Sequence, residues 1–106
     1  MQKGEIILIS FPFTDLSGIK KRPALILAHT ENNIVVAFIS TQKKWAEDTD
    51  LLVEPTPNNG LKRASLIRIA KIATIDKSLA LGLLGKLEPN TLHLVDQQLI
   101  RFFRLQ

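Results

Sequence analysis

The chain contains no cysteine and only two histidines, His29 and His93. The first absence removes disulfides, thiolate metal sites and cysteine nucleophiles together. The second leaves little material for a histidine metal centre or an acid/base histidine pair. Uncharged stretches such as Ile6 to Thr14 and Ser78 to Gly85 fall far short of the ~20 residues that a membrane-crossing helix needs. The opening residues do not read as a secretion signal, because Lys3 is followed by Glu5 and the apolar stretch Ile6 to Ile9 is short. The expected location is the cytoplasm. No G-x-S-x-G, H-E-x-x-H or phosphate-binding P-loop occurs, and no carboxylate pair stands out. An enzyme built on this chain would work with arginine and hydroxyl groups, and no metal or cofactor is expected.

What remains is enough for one domain spanning residues 1–106. Hydrophobic residues make up 45% and charged residues 23%, ordinary values for a globular chain. The net charge is +4, and its distribution is uneven. Residues 1–44 carry six basic and three acidic groups, whereas residues 45–60 hold Glu47, Asp48, Asp50 and Glu54 with no cation. Residues 61–86 carry six basic groups against Asp76. Two basic stretches flanking one acidic loop suit a polyanion, or an acidic protein partner.

The first two-thirds reads as strands. Gly4 to Ser10, Pro23 to Ala28 and Asn33 to Ser40 are short apolar runs bounded by turn residues. Their continuity implies strands covered on both faces. Leu51 to Glu54 is a further short strand, and Pro55 to Gly60 is a loop by composition. Ser65 to Ile75 is the longest strand candidate. Arg68 and Lys71 fall on opposite apolar faces of it, a conflict that a bulge would resolve. Leu81 to Leu87 is the last strand. Pro89 can open a helix in which Leu92, Val95, Leu99 and Phe102/Phe103 form the apolar stripe. The expected fold is mainly β, a small barrel with one C-terminal helix.

Two segments could carry chemistry. The connection Phe11 to Arg22 holds Thr14, Ser17 and Gly18 and then Lys20, Lys21 and Arg22. Its turn amides and cations could bind a phosphate, although charge runs more often simply face water. Arg22 precedes Pro23, which biases it to extended backbone at a strand edge. The second segment is Ser40-Thr41-Gln42-Lys43-Lys44-Trp45. Strand-end hydroxyls can bind a phosphate oxygen, lysines add charge, and Trp45 could stack on a base. Strand parity sets Ser40 and Thr41 on opposite faces, so one of them serves a site. A half-buried anchoring role is the expectation for Trp45. Lys62, Arg63, Arg68 and Lys71 are expected to serve solubility and to guard a sheet edge. Arginine and hydroxyls suffice for catalysis where the substrate brings its own nucleophile. RNA does, since its 2′-OH lies beside the scissile phosphate, and a guanidinium can stabilise the added charge on phosphorus.

These residues resemble the MazF/PemK-like toxins of bacterial type II toxin–antitoxin pairs. Gly4-Glu5-Ile6-Ile7 is similar to the family's opening. Phe11 to Leu27 (F-P-F-T-D-L-S-G-I-K-K-R-P-A-L-I-L) resembles its loop entering R-P-x-[LV]-[VI]-[LI]. Ala37-Phe38-Ile39-Ser40 resembles its third-strand ending, and Ile72 to Lys77 its T-[IL]-D-K strand end. The resemblance implies an SH3-like barrel of the CcdB/PemK type with a C-terminal helix, usually a homodimer. It implies a metal-independent endoribonuclease that cuts single-stranded RNA, leaving a 2′,3′-cyclic phosphate and a 5′-hydroxyl, and a cognate acidic antitoxin as partner. The family's catalytic arginine falls on Arg22 and its strand-end hydroxyl on Ser40. Lys20, Lys21, Thr14, Ser17, Thr41, Lys43 and Lys71 are the expected RNA contacts. Lys71 and Ala73 stand where better-known relatives carry glutamine and arginine. The competing expectations are a barrel that binds RNA or protein without cutting, and a toxin that inhibits a protein such as DNA gyrase.

Overall fold

Apolar, β-branched runs set the strands, and polar turn residues end them. A computed structural model describes residues 1–12 and 19–106. Strands β1 (Glu5–Pro12), β2 (Ile19–His29), β3 (Asn33–Ser40), β4 (Leu51–Val53), β5 (Ser65–Asp76) and β6 (Ala80–Lys86) precede helix α1 (Pro89–Phe103). A one-turn 3-10 helix, Lys77–Leu79, links β5 to β6. All ladders are antiparallel, and the strand order is β4-β5-β3-β2-β1-β6. Among the described residues β4 and β6 are edges, so the expected barrel is a six-stranded sheet left open at that seam. The expected connection Phe11 to Arg22 is shorter than its polar composition suggests, because Ile19 to Arg22 already belong to β2.

Strand parity divides the interior in two. Leu25, Ala37, Ile39, Ile67 and Ile69 pack with Leu87 and with Val95 of α1. Ala24, Ile26, Ile34, Val36, Ile7, Ile9 and Ile75 form a second cluster. Both faces are covered, which is why the runs are continuously apolar rather than alternating. The conflict in β5 is resolved by a bulge. Ala37 pairs with Ile72 but Phe38 pairs with Arg68, so Ile69, Ala70 and Lys71 are extra residues on the β5 side.

Pro89 sits in the first turn of α1, where its missing N–H costs nothing, and Arg104 closes the helix in the left-handed region at φ 55°. Val95 is buried and Leu92 and Leu99 pack beside it, as the helical spacing predicts. Phe102 and Phe103 depart from that stripe: they are 41% and 53% exposed. The two rings meet each other edge to face at 5.1 Å.

The loop between β4 and β5 is held by polar contacts. Asn59 is fully buried. Its amide donates to Glu54 O at 2.9 Å, and its carbonyl accepts from Thr56 N at 3.1 Å and Leu61 N at 3.0 Å. Gly60 follows at φ 72°, against the Leu84 carbonyl, where any Cβ would collide. Asp76 caps the 3-10 helix by accepting from Ser78 N, and that bond holds its carboxyl below the usual carboxylate range.

Candidate functional site

Arg22 lies in β2 opposite Ile9 of β1, and Ser40 ends β3 opposite Leu66 of β5. The β2–β3 ladder runs from Ala24↔Phe38. Continued two residues past that last pair, the same antiparallel count aligns Arg22 with Ser40. In that alignment the two residues share a face of the sheet. Their face is that of Ala24, Ile26 and Val36, so they border the second apolar cluster at one end of the sheet. Both are half-buried. The Ser40 hydroxyl oxygen accepts from Gln42 N at 3.0 Å. That bond fixes the oxygen and leaves the O–H proton to donate elsewhere.

Lys20 is exposed on the face of Arg22, and Lys21 is exposed on the opposite face. Thr41 and Lys43 are exposed in the loop that follows Ser40. The structure therefore gathers Arg22, Ser40, Lys20, Lys21, Thr41 and Lys43 at one sheet end. Lys71 stands apart: it lies in the β5 bulge, five residues along the strand from Leu66. Thr14 and Ser17 lie outside the described residues.

The loop from Thr41 to Asp50 is shaped by a contact that composition does not suggest. Arg68, opposite Phe38 and two residues from Leu66, turns its guanidinium into the acidic loop. Its Nε donates to Asp50 Oδ1 at 2.8 Å, and its Nη2 to Glu47 Oε1 at 2.9 Å and Trp45 O at 3.4 Å. The second Asp50 oxygen accepts from Glu47 N at 2.8 Å. The Asp50 side chain is 2% exposed and that of Arg68 15%. Two of the three acids of this loop thus pair with one cation, Asp50 buried against it and Glu47 half exposed. Trp45 corrects the expectation of a half-buried anchor: it is 69% exposed, with Lys44 Nζ 5.2 Å from its ring centroid. Its backbone, not its indole, carries the anchoring contact.

A family model described as PemK-like, MazF-like toxin of type II toxin–antitoxin system matches residues 2–103. The chain belongs to this toxin family. No curated protein matches the sequence. Solved structures match its fold over nearly the whole length. An endoribonuclease in complex with its cognate antitoxin from a mycobacterial species aligns at a TM-score of 0.75 and 19% identity, covering 100% of this chain and 97% of that one. The Mycobacterium tuberculosis toxin MazF-mt6 aligns at 0.73 and 22% identity, covering 94% and 98%. MazF in the MazE–MazF structure from Deinococcus radiodurans aligns at 0.73 and 17% identity, covering 97% and 95%. The mainly β architecture with one C-terminal helix is that of these MazF structures.

In this PemK-like chain two features escaped sequence reasoning. Arg68 was indistinguishable from other surface cations, because its partners Glu47 and Asp50 lie 21 and 18 residues away. The second is a latch at the start of α1. Glu88 accepts from Thr56 Oγ1 at 2.9 Å and Asn58 Nδ2 at 3.2 Å, tying the 55–60 loop to the start of α1. The Thr56 hydroxyl bond draws the Glu88 carboxyl below its usual range, with burial opposing. The N-N-G run was the available signal for a tight loop, but not for its partner. No helix among the described residues is long and apolar enough to cross a membrane.

Proposed function

We propose that this toxin is an endoribonuclease that cleaves single-stranded RNA without a metal ion. The 2′-oxygen forms a bond to the adjacent phosphorus, the bond to O5′ breaks, the 2′-OH loses its proton and O5′ gains one. The products are a 2′,3′-cyclic phosphate and a 5′-hydroxyl. Arg22 stabilises the charge that builds on the phosphoryl oxygens, and the Ser40 hydroxyl donates to one of them. Lys20, Lys21 and Lys43 hold neighbouring phosphates, with Thr41, Thr14, Ser17 and Lys71 as further contacts. What supports this reading is membership of this toxin family, together with an antiparallel count that, continued past Ala24↔Phe38, aligns Arg22 with Ser40.

The test is incubation of the purified protein with mixed-sequence RNA in EDTA. Cleavage to cyclic-phosphate ends is expected, and Arg22→Ala should slow it by about 10²–10³, the scale of one preorganised donor. Absence of cleavage, or unchanged cleavage by Arg22→Ala, overturns the assignment.

The same basic sheet end suits an acidic antitoxin segment, and a mycobacterial endoribonuclease of similar fold is in complex with its cognate antitoxin. A homodimer in the cytoplasm completes the proposal. Its support is exposed apolar surface on the edge strand and helix end: Leu83 is 64% and Leu105 68% exposed. Sedimentation as a monomer at micromolar concentration would refute the dimer.

A further inference from the structure

A cleft of about 400 Å³ opens on the other face of the sheet end that carries Arg22 and Ser40. Its wall is apolar, made by Leu8, Pro23, Leu61 and Leu84, and its rim carries Thr41, Lys62 and Arg63. Leu8 and Pro23 are cross-strand partners. Pro23 follows Arg22, and Thr41 follows Ser40, so strand alternation turns these neighbours to the opposite side. The cleft and the proposed catalytic pair therefore share the same two strand ends, back to back.

The charge at the rim has one sign. Lys62 and Arg63 are exposed, and no carboxylate pairs with either among the described residues. Among the described residues, no acidic side chain lines the cleft. Lys21 shares the face of Pro23 and adds a third cation at the sheet end. The wall is also fixed in place: Gly60 lies against the Leu84 carbonyl in a conformation that only glycine adopts readily, which seats Leu61 to Arg63 over β6. The volume lies at the lower end of the roughly 300–1,000 Å³ of small-ligand pockets.

We infer that this cleft is a nucleotide subsite, in which the base of one unpaired ribonucleotide lies on the apolar wall while Lys62 and Arg63 hold its phosphate. Unpaired nucleotides are recognised by stacking on side-chain faces, a guanidinium plane among them, beside cations that hold the backbone; here Arg63 and Lys62 stand beside the leucine and proline wall. An acidic peptide would satisfy the cations, but the position directly behind Arg22 and Ser40 favours RNA. A strand with its reacting phosphate at that pair turns over the sheet end and sets an adjacent base in the cleft. The inference rests on the ribonuclease reading for the identity of its ligand.

The test uses a fluorescein-labelled single-stranded RNA decamer and the full chain carrying Arg22→Ala, with binding followed by anisotropy against salt. Adding Lys62→Ala and Arg63→Ala should raise Kd several-fold and flatten the log K against log salt slope by about 0.7, one phosphate contact on a single strand. A merely structural role would not change that slope. Exchanging the two cations, Lys62→Arg with Arg63→Lys, should restore both values. Unchanged Kd and slope overturn the subsite, and they leave the ribonuclease reading standing if the unmodified chain cuts RNA. If the unmodified chain does not cut but the double alanine variant loses RNA binding with the expected slope, the ribonuclease reading fails and the subsite stands. Binding of polyglutamate but not RNA through these cations overturns the subsite.

Discussion

Replacing Arg68 with methionine isolates the energetics of the loop that follows Ser40. The change keeps an apolar stem of similar reach and removes the guanidinium. Among the described residues, Asp50 then retains a carboxylate that is 2% exposed with the Glu47 amide as its one remaining partner. Removing one member of a buried ion pair costs about 3–5 kcal/mol. Arg68 is itself 15% exposed and Glu47 50% exposed, so the Glu47 contact adds little and the lower end applies, about 3 kcal/mol. With a urea slope near 2 kcal/mol/M, the unfolding midpoint should fall by roughly 1.5 M. The chain has one tryptophan, Trp45, whose carbonyl accepts from Arg68. Its fluorescence therefore reports the loop directly, while far-UV circular dichroism reports the sheet. Glu47→Gln should cost under about 1 kcal/mol. Arg68→Met combined with Asp50→Leu should recover most of the loss, because an apolar pair has no charge left to desolvate. A midpoint shift worth less than about 1 kcal/mol, or no coupling between positions 68 and 50, would refute the reasoning.

Two further outcomes follow from the latch and its glycine. Glu88 titrates below its usual range in the fold, so its contribution is present above the unfolded carboxylate pKa and is lost as pH falls through the folded one. Thermal melts between pH 3 and 7 should show a shallower acid limb for Glu88→Gln, with Asp76 supplying part of what remains; superimposable profiles would rule this out. Gly60→Ala should destabilise by at least about 1–3 kcal/mol, since it combines a left-handed φ with a clash at Leu84. Gly82→Ala, which meets open space, should stay within about 0.5 kcal/mol by the same urea titration.

Much of the β architecture was legible because each strand is a contiguous run with its own boundaries. Asn33 to Ser40 begins and ends where its turn residues say, and Pro89 opens the helix where a proline can. The β5 parity conflict was also visible, and the bulge is its resolution. The end of the helical stripe was not. Phe102 and Phe103 continue the spacing, but spacing says nothing about how far the sheet beneath extends. Arg22 and Ser40 could be singled out by residue type and by position beside a proline or at a strand end. Their alignment with each other could not, because it depends on which strands pair and in what register.

Local order, then, was decided by the chain itself: where backbone extends, where it turns, where a helix can begin, and which residues bring positive charge or a hydroxyl. Those properties depend on neighbours within a few positions. The tertiary fold alone decided that Arg68 faces acids about twenty residues away, that Glu88 latches a loop thirty residues earlier, and that two strand ends carry Arg22 and Ser40 on one face and border a cationic cleft on the other. Such contacts exist only once the sheet has closed the distance between segments, and pairing at long range leaves no periodic trace in the sequence.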